Sequence, residues 1–216
     1  MPGPSRNYTK ELERLIQKLQ QEGKVPRLLL HACCAPCSSA VLEYLSQYFA
    51  ITLLYYNPNI APLEEYQKRE AELRRLVSQM KFTHPVELLP CQYDGQAFVQ
   101  AARGLEGEPE GGKRCEACFR LRLRYAAQEA ARLRFDYYTT TLSISPMKNA
   151  PLLNQLGEEI GREFGVAHLP SDFKKKDGYK RSVQLSKEYD LYRQDYCGCA
   201  FSKAQRQREK EERKEV

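Results

Sequence analysis

Leu12, Leu15, Ile16 and Leu19 recur at three- and four-residue spacing, and this apolar stripe predicts an amphipathic helix that ends near Gly23. The pattern then becomes a solid apolar run, Arg27–Ala32 (RLLLHA), read as a short buried strand that enters a turn over Cys33–Cys37. Helix resumes over Ser38–Tyr48. A second strand, Ile51–Asn57, leads through Pro58, Asn59 and Pro62 to a charged helix over Leu63–Met80. A third strand is expected over Thr83–Leu89 and a helix over Gln96–Ala102. The segment Gly104–Gly112 (GLEGEPEGG) is too rich in glycine and glutamate for either element and reads as loop. A long helix follows from Cys115 to Leu133. Phe135–Ser143 is strand-like, Ser145 and Pro146 break it, and Leu152–Phe164 returns to helix. Val166–Leu169 is a short last strand, and Lys174–Lys176 with Gly178 precede a helix through Tyr192.

Strands that alternate with helices predict an α/β protein, a parallel sheet with helices on both faces. Ligands of such sheets sit beyond the carboxyl ends of the strands. Three turns of that kind, at Cys33–Cys37, Asn57–Asn59 and Ser143–Asn149, are therefore expected to share a pocket. The 216 residues show no internal repeat, and one domain is expected over residues 1–202 with a charged tail over 203–216. The tail is read as a solvated helix or disorder. No stretch reaches the ~20 apolar residues of a membrane span. Met1–Asn7 lacks the apolar core of a signal peptide, which places the protein in the cytoplasm.

Cysteine changes the picture most. Seven of the eight cysteines fall in three tight groups, Cys33-Cys34-Ala35-Pro36-Cys37, Cys115-Glu116-Ala117-Cys118 and Cys197-Gly198-Cys199. A reducing compartment argues against disulfides, leaving zinc or an iron–sulfur centre. Four thiolates complete a structural zinc site, fewer than the seven present here. The first two groups fall at predicted helix starts, where unpaired N–H groups favour thiolate and an anionic cluster. Cys91 has no close partner and reads as a packed thiol. The charge balance, 34 basic against 28 acidic residues, mildly favours an anionic partner such as RNA.

Six segments in order, LLLHACCAPCS (Leu28–Ser38), YYNPNI (Tyr55–Ile60), EPEGGKRCEACFRLRL (Glu108–Leu123), TTLSISPMKN (Thr140–Asn149), GYKRS (Gly178–Ser182) and YRQDYCGC (Tyr192–Cys199), resemble the epoxyqueuosine reductase QueH family of tRNA-modification enzymes. The resemblance implies a Rossmann-like sheet of the adenine-nucleotide-hydrolase type. It implies reduction of epoxyqueuosine to queuosine at the tRNA wobble position without cobalamin, with a [4Fe–4S] cluster beside a single iron. Carried onto this chain, it gives the cluster to Cys33, Cys34, Cys115 and Cys118, and the iron to Cys37, Cys197 and Cys199.

Removing an epoxide oxygen takes two electrons, from an unidentified donor, and two protons. Asp195 and Tyr196, beside Cys197, are the candidates to donate a proton or tune the iron; Tyr192 is a weaker one. Lys148, Lys174, Lys175, Lys176, Lys180 and Arg181, with Tyr179 among them, are the candidate RNA contacts: cations for phosphates and a ring for an exposed base. His31 is read as a buried, hydrogen-bonded histidine. Glu108 and Glu110 are expected to neutralise Lys113 or Arg114, and some of Arg120, Arg122 and Arg124 to be surface charge. Two other readings compete: a [4Fe–4S]-dependent tRNA sulfur transferase, which lacks its SGGxDS-like loop here, and a zinc-stabilised RNA-binding module.

Overall fold

The computed structural model describes residues 6–213; residues 1–5, within the Met1–Asn7 stretch, and 214–216 of the tail lie outside it. Five parallel strands form one sheet in the order β3-β2-β1-β4-β5: β1 (Arg27–His31), β2 (Ala50–Leu54), β3 (Val86–Leu89), β4 (Tyr137–Thr140) and β5 (Ala167–His168). The α/β expectation therefore holds. Strand side chains alternate between faces. Leu28, Leu30, Ile51 and Leu53 join one buried cluster with α1 (Tyr8–Gln21), α2 (Ala35–Leu45), α3 (Leu63–Gln79) and α7 (Gly178–Glu188). Leu29, Leu54 and Tyr138 join another with α5 (Lys113–Arg132) and α6 (Ala150–Phe164). The short α4 (Gly95–Ala102) packs on α5, and α8 (Ala200–Glu212) closes the chain.

Local chemistry sets the ends of these elements. Asn7 and Asn149 cap α1 and α6 by accepting the N–H of Lys10 and Leu152, both at 3.0 Å. Strand β3 starts at Val86 rather than Thr83, because Pro85 has no N–H and the His84 N–H goes to the Ser46 carbonyl at 2.9 Å. Strand β4 stops at Thr140 rather than Ser143. Thr140 Oγ1 accepts the Leu142 N–H at 3.2 Å and turns the chain into a 3-10 turn, Thr141–Ile144. Helix α7 ends at Glu188, short of Tyr192: Asp190 takes a left-handed φ of 47°, and Arg75 Nη2 donates to the Tyr189 and Asp190 carbonyls at 2.9 and 3.0 Å. The described part of the charged tail lies largely in helix α8, which begins directly after Cys199 and ends at Glu212. Among the described residues no helix is long and apolar enough to cross a membrane.

The strand order reverses direction between β1 and β4, so the helices that follow these two strands leave on opposite faces and open a crevice beyond their carboxyl ends. Cys33–Cys37 follows β1 and Thr141–Ile144 follows β4. The crevice is therefore lined with thiols on one side and hydroxyls on the other.

Leu29 is fully buried on the α5/α6 face, so Leu29→Ala is expected to cost about 2–5 kcal/mol in urea denaturation. Val99→Ala, at a position 57% exposed, is expected to shift stability by no more than about 0.5 kcal/mol. His168 meets the Tyr138 ring at 5.2 Å, and burial pushes its pKa down to about 4. The unfolded chain then takes up a proton near pH 6.5 that the fold refuses, so stability is full above 6.5 and falls toward pH 4, by up to roughly 3 kcal/mol. His168→Leu should remove part of that slope from a urea-midpoint profile against pH, while His31, whose pKa burial also pushes down to about 4, keeps the rest.

Candidate metal centre

Cys34 is the N-cap of α2, with extended backbone (φ −171°), and its side chain makes no capping bond. Pro36 sits in the first turn, where its missing N–H removes no helical hydrogen bond. The extended entry and tight first turn bring the Cys33, Cys34 and Cys37 sulfurs within 4.8 Å of one another, a group that could hold a metal or cluster. Cys33 and Cys34 sulfurs are 3.9 Å apart. Across the crevice Thr141 Oγ1 accepts the Cys33 N–H at 3.1 Å and donates to Cys33 Sγ at 3.3 Å. Hydrogen bonds from the Cys34 and Cys37 thiols, then Thr141 and the Arg122 charge, hold the Cys33 pKa well below its ordinary value. The partners move the other way: bonding to Cys33 and burial push Cys34 and Cys37 up.

The other four grouped thiols lie at two further helix starts. Cys115 and Cys118 occupy the first turns of α5, and Gly111 N–H donates to Cys115 Sγ at 3.2 Å. Cys199 is the N-cap of α8, its Sγ accepting the Ser202 N–H at 3.4 Å. Burial pushes Cys118 up to about 12 and raises Cys199. Cys115, Cys118, Cys197 and Cys199 line one narrow cavity with Asn59 and Phe98. Cys33, Cys34, Cys37 and Cys197 line an adjoining open cavity of about 470 Å³. Cys197 and Arg122 face both. All eight thiols are free.

Four buried cations, Arg69, Arg114, Arg122 and Lys148, surround this sulfur set. Arg69 gives Nε to Glu65 at 2.7 Å and Nη1 to the Cys197 carbonyl at 3.3 Å, pinning the Cys-Gly-Cys segment. Lys148 is 8% exposed and pairs with Glu110 at 2.9 Å. Glu110 also accepts from Ser202 Oγ at 2.9 Å, and that hydroxyl accepts the Cys197 N–H at 3.1 Å. Glu110 thus serves Lys148 rather than Lys113 or Arg114. Arg114 instead donates to the carbonyls of Leu105, Glu106 and Glu108, and so holds the Gly-Glu loop in place. Arg122, the fourth cation, donates Nη1 to Asn57 Oδ1 at 3.1 Å, while Asn57 Nδ2 donates to the Ala32 carbonyl at 2.8 Å. Its Nε and Nη2, and both polar atoms of Asn59, have no partner among the described residues.

Sequence reasoning missed Arg122 as a site residue. The signal was available, since Arg122 falls four positions after Cys118 and seven after Cys115, on the same helix face. Arg120 and Arg124, by contrast, form surface ion pairs with Glu159 and Glu163. His31 is buried as expected: Nε2 donates to the Tyr56 carbonyl at 3.0 Å and Nδ1 accepts from Thr140 Oγ1 at 2.8 Å.

Asp195, Tyr196, Tyr179 and Lys148 all line the large cavity. Asp195 is half exposed and pairs with Lys210 at 2.6 Å, which holds its carboxyl below the usual range. Burial raises the Tyr196 hydroxyl, whose ring lies 5.2 Å from the Arg69 guanidinium. Tyr192 faces Glu65 at 3.3 Å. Lys174 pairs with Asp172 at 2.7 Å, Lys176 with Glu13, and Arg181 with Glu43 at 2.6 Å. Lys175 and Lys180 are exposed. Tyr179 is 39% exposed, with Arg193 5.9 Å from its ring.

Free soft donors and an unpartnered buried guanidinium both fit an anionic metal–thiolate group. A doubly wound α/β sheet with a thiol-lined cavity at its switch point defines the class of protein. The chain belongs to the epoxyqueuosine reductase QueH family, whose profile matches residues 28–205. It is 42% identical over 203 residues to the epoxyqueuosine reductase QueH of Streptococcus pyogenes serotype M1, covering 93% of this chain and 80% of that protein. Identity to the Staphylococcus epidermidis protein of the same name is 42% over 200 residues (91% and 84%), and to that of Thermotoga maritima 35% over 185 (83% and 91%).

Gly198 takes a φ of 114°, and a Cβ there would stand 2.9 Å from Arg69 Nη1 and 3.0 Å from Ile60 Cγ1. Gly198→Ala is therefore expected to destabilise the metal-free fold by about 1–3 kcal/mol in urea denaturation. It should also reduce the metal bound after anaerobic reconstitution, because Cys197 and Cys199 flank the strained residue.

Proposed function

We propose that the protein is an oxidoreductase that reduces epoxyqueuosine to queuosine at the wobble position of tRNA, without cobalamin and with electrons from an external donor. The observation that carries this reading is the open cavity of about 470 Å³, wide enough for a modified base, with three close-packed thiols in its wall. Membership of the QueH family supplies the substrate class.

Seven thiols suit two adjoining metal sites, a [4Fe–4S] cluster on four cysteines and a single iron on three. We assign the cluster to Cys33, Cys34, Cys115 and Cys118, which line two adjoining cavities with Arg122 in the wall of both. The iron then falls to Cys37, Cys197 and Cys199, two of which line the open cavity. These groups would store and pass electrons and act as a Lewis acid toward the epoxide oxygen.

The chain's own residues handle binding and protons. Asp195 is a carboxylate at neutral pH and has no proton to give. Tyr196 keeps its hydroxyl proton and faces the same cavity, so it is the better donor of one of the two protons that leave with the oxygen as water, the other coming from solvent. Tyr179 at the cavity wall offers a ring for the extruded base, with Arg193 over it. Lys175 and Lys180 are free of ion pairs among the described residues and face solvent, as phosphate contacts must. Lys148, buried on Glu110, holds the cavity wall rather than reaching for phosphate.

Anaerobic incubation of the reconstituted protein with a reductant and epoxyqueuosine-containing tRNA should convert the epoxide to queuosine by nucleoside mass analysis. Absence of conversion by iron-loaded protein would reject the activity. Cys118→Ser should abolish both conversion and the broad cluster absorption near ~400 nm. Tyr196→Phe should keep the metal and lose about 10²-fold or more in turnover.

A further inference from the structure

Arg122 is 1% exposed, and among the described residues its one hydrogen-bond partner is the neutral Asn57 side chain. Arg69 has Glu65, Lys148 has Glu110 and Arg114 has three backbone carbonyls, but Arg122 has no carboxylate among the described residues. An unpaired charge in a dry place is costly unless something anionic meets it. Two of its nitrogens, Nε and Nη2, are buried without partners. The side chain lines both thiol cavities, and the sulfurs of Cys118, Cys197, Cys33 and Cys115 are the nearby groups that favour its charge, against the burial that opposes it.

We infer that Arg122 is the counter-cation of the iron–sulfur cluster, its two unpartnered nitrogens donating to cluster or cysteine sulfur and setting the cluster's reduction potential. This rests on the cluster reading above. One electron added to the cluster raises its negative charge by one, and a fixed guanidinium at short range in low dielectric favours that reduced state. Arg122 therefore holds the potential up. Asn57 holds Arg122 in turn: it is anchored to the Ala32 carbonyl at the end of β1, one residue before the first thiol. Arg122 is thus a tuning residue that acts through the cluster.

The test compares the parent protein, Arg122→Met, Arg122→Lys and Arg120→Met after anaerobic reconstitution. Iron and sulfide content are measured first, and the cluster is then titrated with dithionite under electron paramagnetic resonance detection. Arg122→Met is expected to disfavour reduction by at least tenfold, a downward shift of about 59 mV for one electron. Arg122→Lys, which keeps the charge, should fall between Met and parent. Arg120→Met, on the surface of the same helix, should match the parent. If Arg122→Met does not retain a cluster, loss of the anchoring cation is upheld provided Arg122→Lys retains one; loss in both would mark a packing role and overturn the inference. A cluster in Arg122→Met at the parent potential would overturn it while leaving the cluster reading intact. A parent protein without sulfide would overturn both.

Discussion

Negative charge on sulfur must be neutralised where water is scarce, and the architecture of the site answers that constraint. Seven thiols gather at the starts of three helices, α2, α5 and α8, whose unpaired N–H groups and dipoles favour anions. Backbone donors reach sulfur at Cys115 and Cys199, and a hydroxyl reaches it at Cys33. Arg122 and Lys148 add buried positive charge from the side. None of these devices works alone. A helix terminus delivers a fraction of a charge, a hydroxyl a single bond, and Arg122 without its anion is a liability.

The scaffold makes this convergence possible at little cost to the core. Parallel strands buried on both faces allow apolar runs such as Leu28–Leu30, so the sheet is stable without help from the site. Buried polar residues gather at the carboxyl ends of the strands: His31, Asn57, Thr140, Thr141 and Ser143 are all buried there, and most hydrogen-bond to one another or to nearby backbone. That ring of satisfied polar groups forms a rigid floor beneath the thiols. The Cys-Gly-Cys segment comes from the far end of the chain and is tied down by Arg69, Ser202 and the Ala61 N–H, which donates to the Gly198 carbonyl at 3.1 Å.

Much of the fold was legible in the sequence because hydrophobic period and glycine punctuation are local properties. The alternation of strands and helices, the loop over Gly104–Gly112 and the helix starts at the first two cysteine groups could all be read that way. Boundaries failed where a side chain overruled propensity. Thr140 ends β4 early, the β-rich composition of Thr140–Ser143 notwithstanding, and Arg75 holds the chain beyond α7 out of helix. Charge was the least legible property. Lys148, Lys174, Lys176 and Arg181 look alike in sequence, yet each has its own carboxylate partner, and Lys148 is buried.

The sequence by itself determined that reactive sulfur is concentrated in three short segments, since residue type and spacing are written there directly. It also carried the family resemblance that names the chemistry. Only the tertiary structure decided which sulfurs are neighbours, which cations are buried and which are spent on surface pairs. Those outcomes depend on contacts between residues far apart in the chain, such as Cys33 with Thr141 or Arg122 with Asn57. A linear pattern holds no record of distance across a sheet; the reversal of strand order between β1 and β4 created the crevice in which these groups meet.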